Sequence, residues 1–207
     1  MRILGISGSL RRDSHNTALL RAAAELLPPE VELELFDGLR DVPPYDADED
    51  VPELHAPGVV ALKDAIARAD AVLISTPEYN HSIPGVLKNA LDWASRPVAD
   101  NVLRGKPAAV IGASTGLFGA VWAQAEVRKV LAAIGAEVVD RELPVMQAHA
   151  QFDEYGNLRE EDLRGQLTGQ TDKKAQAVMS DERAYEVFQH ACKENYADHL
   201  RLYKVYV

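Results

Sequence analysis

Apolar positions fall into two alternating spacings along this chain. Unbroken apolar runs at residues 3–6, 71–75 and 107–112 suit strands buried on both faces of a parallel sheet. Between them the spacing becomes helical. Leu19, Leu20, Ala23, Leu26 and Leu27 mark a helix over 16–27 that Pro28 and Pro29 stop, and a second helix spans 59–69. Val86, Leu87, Ala90, Leu91 and Ala94 mark a third over 86–95, and a long fourth over 120–134 ends at Gly135. Residues 31–36 alternate apolar with acidic and read as a strand near a sheet edge, and 137–143 reads as a fifth strand. Strands alternating with helices predict an α/β fold, a doubly wound five-stranded parallel sheet with right-handed crossovers. In a 2-1-3-4-5 strand order, ligands bind beyond the carboxyl ends of the strands, where the loops 7–16, 76–85 and 113–119 converge on one crevice.

Composition narrows the class. The 207 residues suffice for one sizeable core, and the hydrophobic fraction of 47% with 26% charged residues is that of a globular protein. No apolar run approaches the length of a membrane span and no basic-then-apolar leader follows Met1, so a cytoplasmic protein is expected. A single cysteine, Cys192, excludes an intrachain disulfide framework, and no Cys/His spacing suits zinc; no metal is expected. The formal net charge of −10 argues against nucleic-acid or membrane binding, both of which need an electropositive face. An anionic ligand would have to be held by local groups.

The first strand-to-helix turn, within RILGISGSLRRDSHNT (residues 2–17), carries such groups. A glycine-containing turn aims backbone N–H groups at one point, and the dipole of the following helix adds partial positive charge there. The hydroxyls of Ser7, Ser9, Ser14 and Thr17, with the guanidinium groups of Arg11 and Arg12, suit a terminal phosphate. The third glycine of the dinucleotide fingerprint and the Gly-Lys-Ser/Thr of the P-loop are both absent, so a phosphate monoester fits better than a pyrophosphate. Taken alone, the turn also reads as an ordinary solvated serine-rich turn with an N-cap.

Two further loops bear on that choice. Residues 76–85, TPEYNHSIPG, place an aromatic, an amide and two prolines beside the turn, and 113–119, ASTGLFG, offer small residues whose N–H groups allow close approach. The combination of GISGSLRRDSHNT, TPEYNHSIPGVLKNALDW and GASTGLFGA closely resembles the NAD(P)H-dependent FMN reductases, a flavodoxin-like family that includes quinone, chromate and azo-compound reductases. The likeness covers residues 1–167, and the middle motif is the specific one. It implies FMN as cofactor, NADPH or NADH as electron donor, and a small-molecule electron acceptor. It implies the FMN phosphate at Ser9, Arg11, Asn16 and Thr17, with Ser14 added from the hydroxyl pattern. Pro77, Glu78, Tyr79 and Asn80 would line the isoalloxazine, and Ser114, Thr115 and Gly116 would contact its pyrimidine end. A homodimer or homotetramer is expected, and no catalytic side chain, because the flavin carries hydride from NAD(P)H to the acceptor in a ping-pong cycle. The other class open to the sequence is an FMN-holding electron carrier without a nicotinamide site.

Individual residues keep competing readings at this level. Glu78 suits a flavin contact, a surface carboxylate or a subunit contact; His81 suits a proton donor or a solvated loop residue. His15 is read as a neighbour of the phosphate, and Trp93 and Trp122 as packing residues. The loop 37–57 is long for a compact domain, so it is either functional or an interface arm. Beyond 167 the sequence departs from the family. Residues 168–207 form a C-terminal extension in which Phe188, Cys192, Tyr196, His199 and Tyr203 recur at helical spacing, an amphipathic helix expected to dock on the domain or on a neighbouring subunit.

Overall fold

The computed structural model describes residues 1–153, 158 and 159. The expected extension 168–207 and the boundary at 167 lie outside them.

The apolar runs form the strands β1 (Arg2–Ser7), β3 (Ala71–Thr76) and β4 (Pro107–Ala113), and the alternating segment forms β2 (Glu32–Phe36). All pairings are parallel, in the order β2-β1-β3-β4, with β5 (Glu137–Val138) on the far edge. The helices α1 (His15–Glu25), α2 (Pro57–Arg68), α3 (Gly85–Ala94) and α4 (Val121–Ala133) fall within two residues of the segments expected at their starts and ends. They divide between the two sheet faces. Leu62, Ile66, Leu87, Leu91, Val127 and Leu131 cover one with Val72, Ile74 and Trp93, while Leu19, Leu20 and Ala23 of α1 cover the other with Ile111, Val145 and Phe152. Strands buried this way have no polar face, which is why they read as unbroken apolar runs.

The expected fifth strand is corrected in detail. Only Glu137 and Val138 pair there, and just beyond the expected segment a separate strand, β6 (Pro144–Val145), pairs with Gly112 and Ala113 of the same β4. Asp140, Arg141 and Glu142 between them are unpaired in the sheet. Arg128 of α4 binds both carboxylates, with Nη1 at 2.8 Å from Asp140 Oδ1 and Nη2 on Glu142 Oε1. Three charged residues in succession do not fit a buried ladder, and a helix guanidinium holds the two carboxylates instead.

The long loop 37–57 packs on helices of its own domain. The first of its three short 3₁₀ turns lies against α2 and α3. Asn89 of α3 accepts from Tyr45 N at 2.7 Å and donates to Pro43 O at 2.8 Å, and Trp93 Nε1 donates to the same carbonyl at 2.9 Å. A Cβ at Gly58 would lie 2.2 Å from Asp41 O, so the first turn of α2 requires glycine for the loop to pass. Asp50 pairs with His55 at 3.3 Å and with Lys63 at 3.9 Å, and burial of Lys63 lowers its pKa against the opposing pull of Asp50.

Candidate active site

The sheet order brings three loops to one edge, at the carboxyl ends of β1, β3 and β4. A polar cavity bounded by Met1, Arg2, Glu30, Glu32, Arg68 and Asp70 lies at the opposite, amino edge, away from these loops.

The first loop is a set of hydroxyls that accept bonds from within the loop. Ser7 Oγ accepts from Thr17 Oγ1 at 2.9 Å and from Ser9 N at 3.4 Å; Ser9 Oγ accepts from Arg11 N at 3.3 Å. Ser14 is the N-cap of α1 and accepts from Asn16 N at 3.2 Å and Thr17 N at 3.4 Å. A hydroxyl whose oxygen is occupied as an acceptor still has its one proton to donate, so Ser7, Ser9 and Ser14 retain donors suited to an anion. The N–H groups of Arg12, Asp13 and His15 make no hydrogen bond within the described residues, and Arg11 and Arg12 are exposed. This donor set fits a phosphate.

Asn16 takes a different position from the one its motif suggested. Its side chain is buried and faces the sheet, with Oδ1 accepting from Ala113 N and Ser75 Oγ and Nδ2 donating to Ala113 O, all at 2.9 Å. It thereby fastens the start of α1 to β3 and to the end of β4. Thr17 likewise gives its hydroxyl proton to Ser7. Arg40, which the motif reading did not include, reaches from the long loop to donate to Leu10 O at 3.1 Å.

The second loop contains a two-residue turn. Tyr79 and Ser82 exchange both backbone hydrogen bonds at 3.1 Å, and Asn80 and His81 between them have φ of 53° and 61°. Two successive left-handed residues define a type I′ turn. The turn leaves the Tyr79 ring 52% exposed at the edge of the crevice. Pro77 is buried against Gly8, where an added Cβ would stand 3.2 Å from its ring, so the first and second loops touch.

Glu78 is mostly covered, and its function in the fold is visible. Ala120, the N-cap position of α4, has no capping side chain; instead Glu78 Oε2 accepts from Trp122 N at 3.1 Å and Ala123 N at 3.2 Å. A carboxylate from another loop caps the helix and meets its positive dipole end. Glu126, one turn on, accepts from Ser82 Oγ at 2.6 Å and Ile83 N at 3.3 Å. The His81 ring meets Trp122 edge to face at 5.0 Å, and Trp122 meets Phe118 of the third loop at 4.9 Å. The half-buried Trp122 thus joins two loops, whereas Trp93 is a core residue as expected.

The third loop turns back toward the edge strand. Gln147 N donates to Gly116 O and Ala148 N to Ser114 O, both at 2.9 Å, which moors it to the short helix α5 (Ala148–Gln151). Ser114 is half-buried, Thr115 and Gly116 are exposed, and Gly119 takes φ 57° where a Cβ would lie 2.6 Å from Pro144. The expected site residues Ser9, Arg11, Ser14, Pro77, Glu78, Tyr79, Asn80, Ser114, Thr115 and Gly116 therefore lie on the three loops of one edge, and Asn16 and Thr17 lie in the first turn of α1 that follows the first of them. Among the described residues no His, Cys, Asp and Glu cluster could hold a metal ion, and no helix is long and apolar enough to cross a membrane.

Comparison with known proteins gives the arrangement a context. Residues 1–150 match the family described as NADPH-dependent FMN reductase. An NAD(P)H-dependent FMN reductase of Pseudomonas aeruginosa is 43% identical over 166 residues, covering 79% of this chain and 88% of the relative. A 2-hydroxy-1,4-benzoquinone reductase of a Burkholderia species is 43% identical, covering 84% and 94%. Among solved structures, the flavoenzyme FerB of Paracoccus denitrificans, an NAD(P)H:(acceptor) oxidoreductase, superposes with a TM-score of 0.72 at 40% identity, over 81% of this chain and 91% of that one.

Proposed function

The chain belongs to the NADPH-dependent FMN reductase family, and from that membership we propose that it passes reducing equivalents from NAD(P)H through FMN to a quinone-type small molecule. It is an NAD(P)H-dependent flavin reductase, with FMN as cofactor. The carrier reading is set aside by relatives that are themselves reductases.

The observation behind the finer assignment is the convergence of an anion-ready turn with two loops that bear aromatic rings and backbone donors at the same sheet edge. Ser7, Ser9, Ser14, Arg11 and the free N–H groups after Arg11 hold the phosphate. Asn16 and Thr17 act on it indirectly, by fixing the turn. Pro77, Tyr79 and Asn80 line the ring, with Glu78 holding that loop in place. Ser114, Thr115 and Gly116 meet the ring's polar end, where backbone donors favour negative charge in a water-poor site. Bound FMN supplies the hydride chemistry, so the protein's own part is to position, exclude water and leave one face open. Tyr79 stands beside that open face as a stacking surface for nicotinamide and acceptor in turn. A homodimer or homotetramer in the cytoplasm, where reduced nicotinamide is supplied, completes the reading; nucleic acid and membrane have no part in it.

The test is direct. The purified protein is yellow, and its flavin absorbance bleaches anaerobically on addition of NADPH or NADH and returns with a benzoquinone. A protein that binds FMN yet stays oxidised with both nucleotides is a carrier, and one that cannot be loaded with FMN overturns the site.

A further inference from the structure

Arg11 of the first loop and His149 of α5 both bear on His15 at the start of α1. His15 is the first residue of α1, next to the N-cap Ser14, and is half-buried. Its ring stacks on Phe152 at 5.7 Å with an interplanar angle of 15°, directly after α5. His149 lies on α5, and both Arg11 and His149 act on His15 as like charges. Among the described residues, Arg12 and Asp13 are exposed on the loop, Asp153 follows Phe152 in the chain, and Arg159 donates to Phe152 O at 3.1 Å. In an acidic chain of net charge −10, a basic cluster at a helix N-terminus opposes itself until an anion lies between its members.

Resting on the assignment of the FMN phosphate to this loop, we propose that His15, with His149 beside it, forms an outer wall of the phosphate site and that FMN binding draws a proton onto His15. The free protein disfavours a charged His15: burial lowers its pKa first, then Arg11, then His149. A phosphate dianion reverses the electrostatic part of that balance. Because the bound form holds more protons than the free form, affinity rises as pH falls from 8.0 toward 6.5, above the range near pH 6 where the phosphate itself takes up its second proton.

The experiment compares FMN with riboflavin, which lacks the phosphate, by flavin fluorescence quenching on flavin-stripped protein at pH 8.0 and 6.5. In the wild type the FMN dissociation constant falls about fivefold over this interval, as expected for partial uptake of one proton, and riboflavin binding stays level. In His15→Gln/His149→Gln the FMN change shrinks to under about twofold by the same linkage, and titration calorimetry in two buffers of different ionisation enthalpy shows the proton uptake lost. His149→Gln alone, at an exposed position, retains part of the slope and guards against a folding defect at His15. An FMN pH dependence identical in wild type and both variants overturns the proposal while the phosphate site stands. FMN that binds no more tightly than riboflavin overturns the phosphate assignment itself.

Discussion

The first and second loops lie side by side at the same sheet edge and are stabilised in opposite ways. The first is tied to the sheet beneath it: Asn16 bonds β4 and Ser75, and its hydroxyls bond one another. The second is tied sideways to a helix: its Glu78 caps α4, and its Ser82 donates to Glu126 of that helix. The first presents protons and positive charge to a ligand, the second an exposed aromatic ring. Anchoring a phosphate needs a frame that does not move, because each charge-assisted bond depends on placement. Admitting a succession of flat substrates needs a wall that stands clear of the core.

The largest effect is expected where the first loop is joined to the sheet. Asn16→Ala leaves the N–H and C=O of Ala113 and the hydroxyl of Ser75 without their buried partner, a loss of about 2–4 kcal/mol by the cost of unsatisfied buried groups. Chemical denaturation gives that figure, and FMN affinity falls with it. If Asn16→Ala lost FMN affinity at unchanged stability, the side chain would be a phosphate ligand and the contrast between the loops would weaken.

This residue also marks the limit of what could be read from the chain. The elements were legible because their apolar spacing reports burial, and the three loops were legible because strand order follows from alternation. Partners distant in sequence were not. Asn16 and Ala113 are 97 positions apart, and nothing near Asn16 distinguishes an amide facing a ligand from one facing the sheet. Glu78 and α4 pose the same difficulty: the helix begins at an alanine, and its capping carboxylate comes from 44 positions earlier. The turn at Asn80 and His81 was hidden because neither position carries the glycine that usually marks a type I′ turn. The edge strand divided because a charged triplet sits within it, and Arg128 holds that triplet from another element.

A smaller effect separates two roles for Glu78. As a helix cap, Glu78→Ala costs about 1–2 kcal/mol, and Glu78→Gln, which keeps an acceptor oxygen, costs less and leaves FMN affinity within about twofold, since a cap change of a few tenths of a kcal/mol is no larger than that. Flavin titration of the two variants decides it. A Gln variant of full stability that binds FMN poorly would show the carboxylate touching the ring.

Tyr79→Ala should scarcely alter stability, within about 0.5 kcal/mol, because the ring is exposed and the turn is held by backbone. Its effect belongs to turnover with an aromatic acceptor, where losing a stacking surface of about 0.5–1.5 kcal/mol slows the reaction roughly 2- to 12-fold. Equal rates with benzoquinone in wild type and variant would remove the second loop from acceptor binding.

The smallest effect returns to the first loop in the absence of any ligand. Burial and like charge keep the His15 pKa below 6.5 in the folded protein, so the unfolded chain takes up a proton first as pH falls. That binding favours the unfolded state, so the His15 contribution is neutral at pH 7.5 and becomes destabilising as pH drops through 6.5 toward the lowered folded value. His15→Gln removes this component. Urea midpoints of flavin-free protein at pH 7.5 and 5.5 should therefore separate less in the variant than in the wild type, with the first loop retaining a basic cluster at a cost in stability that a bound phosphate offsets. Equal separation in the two proteins would mean that His15 titrates as a solvated residue, and that the first loop holds its shape without electrostatic tension.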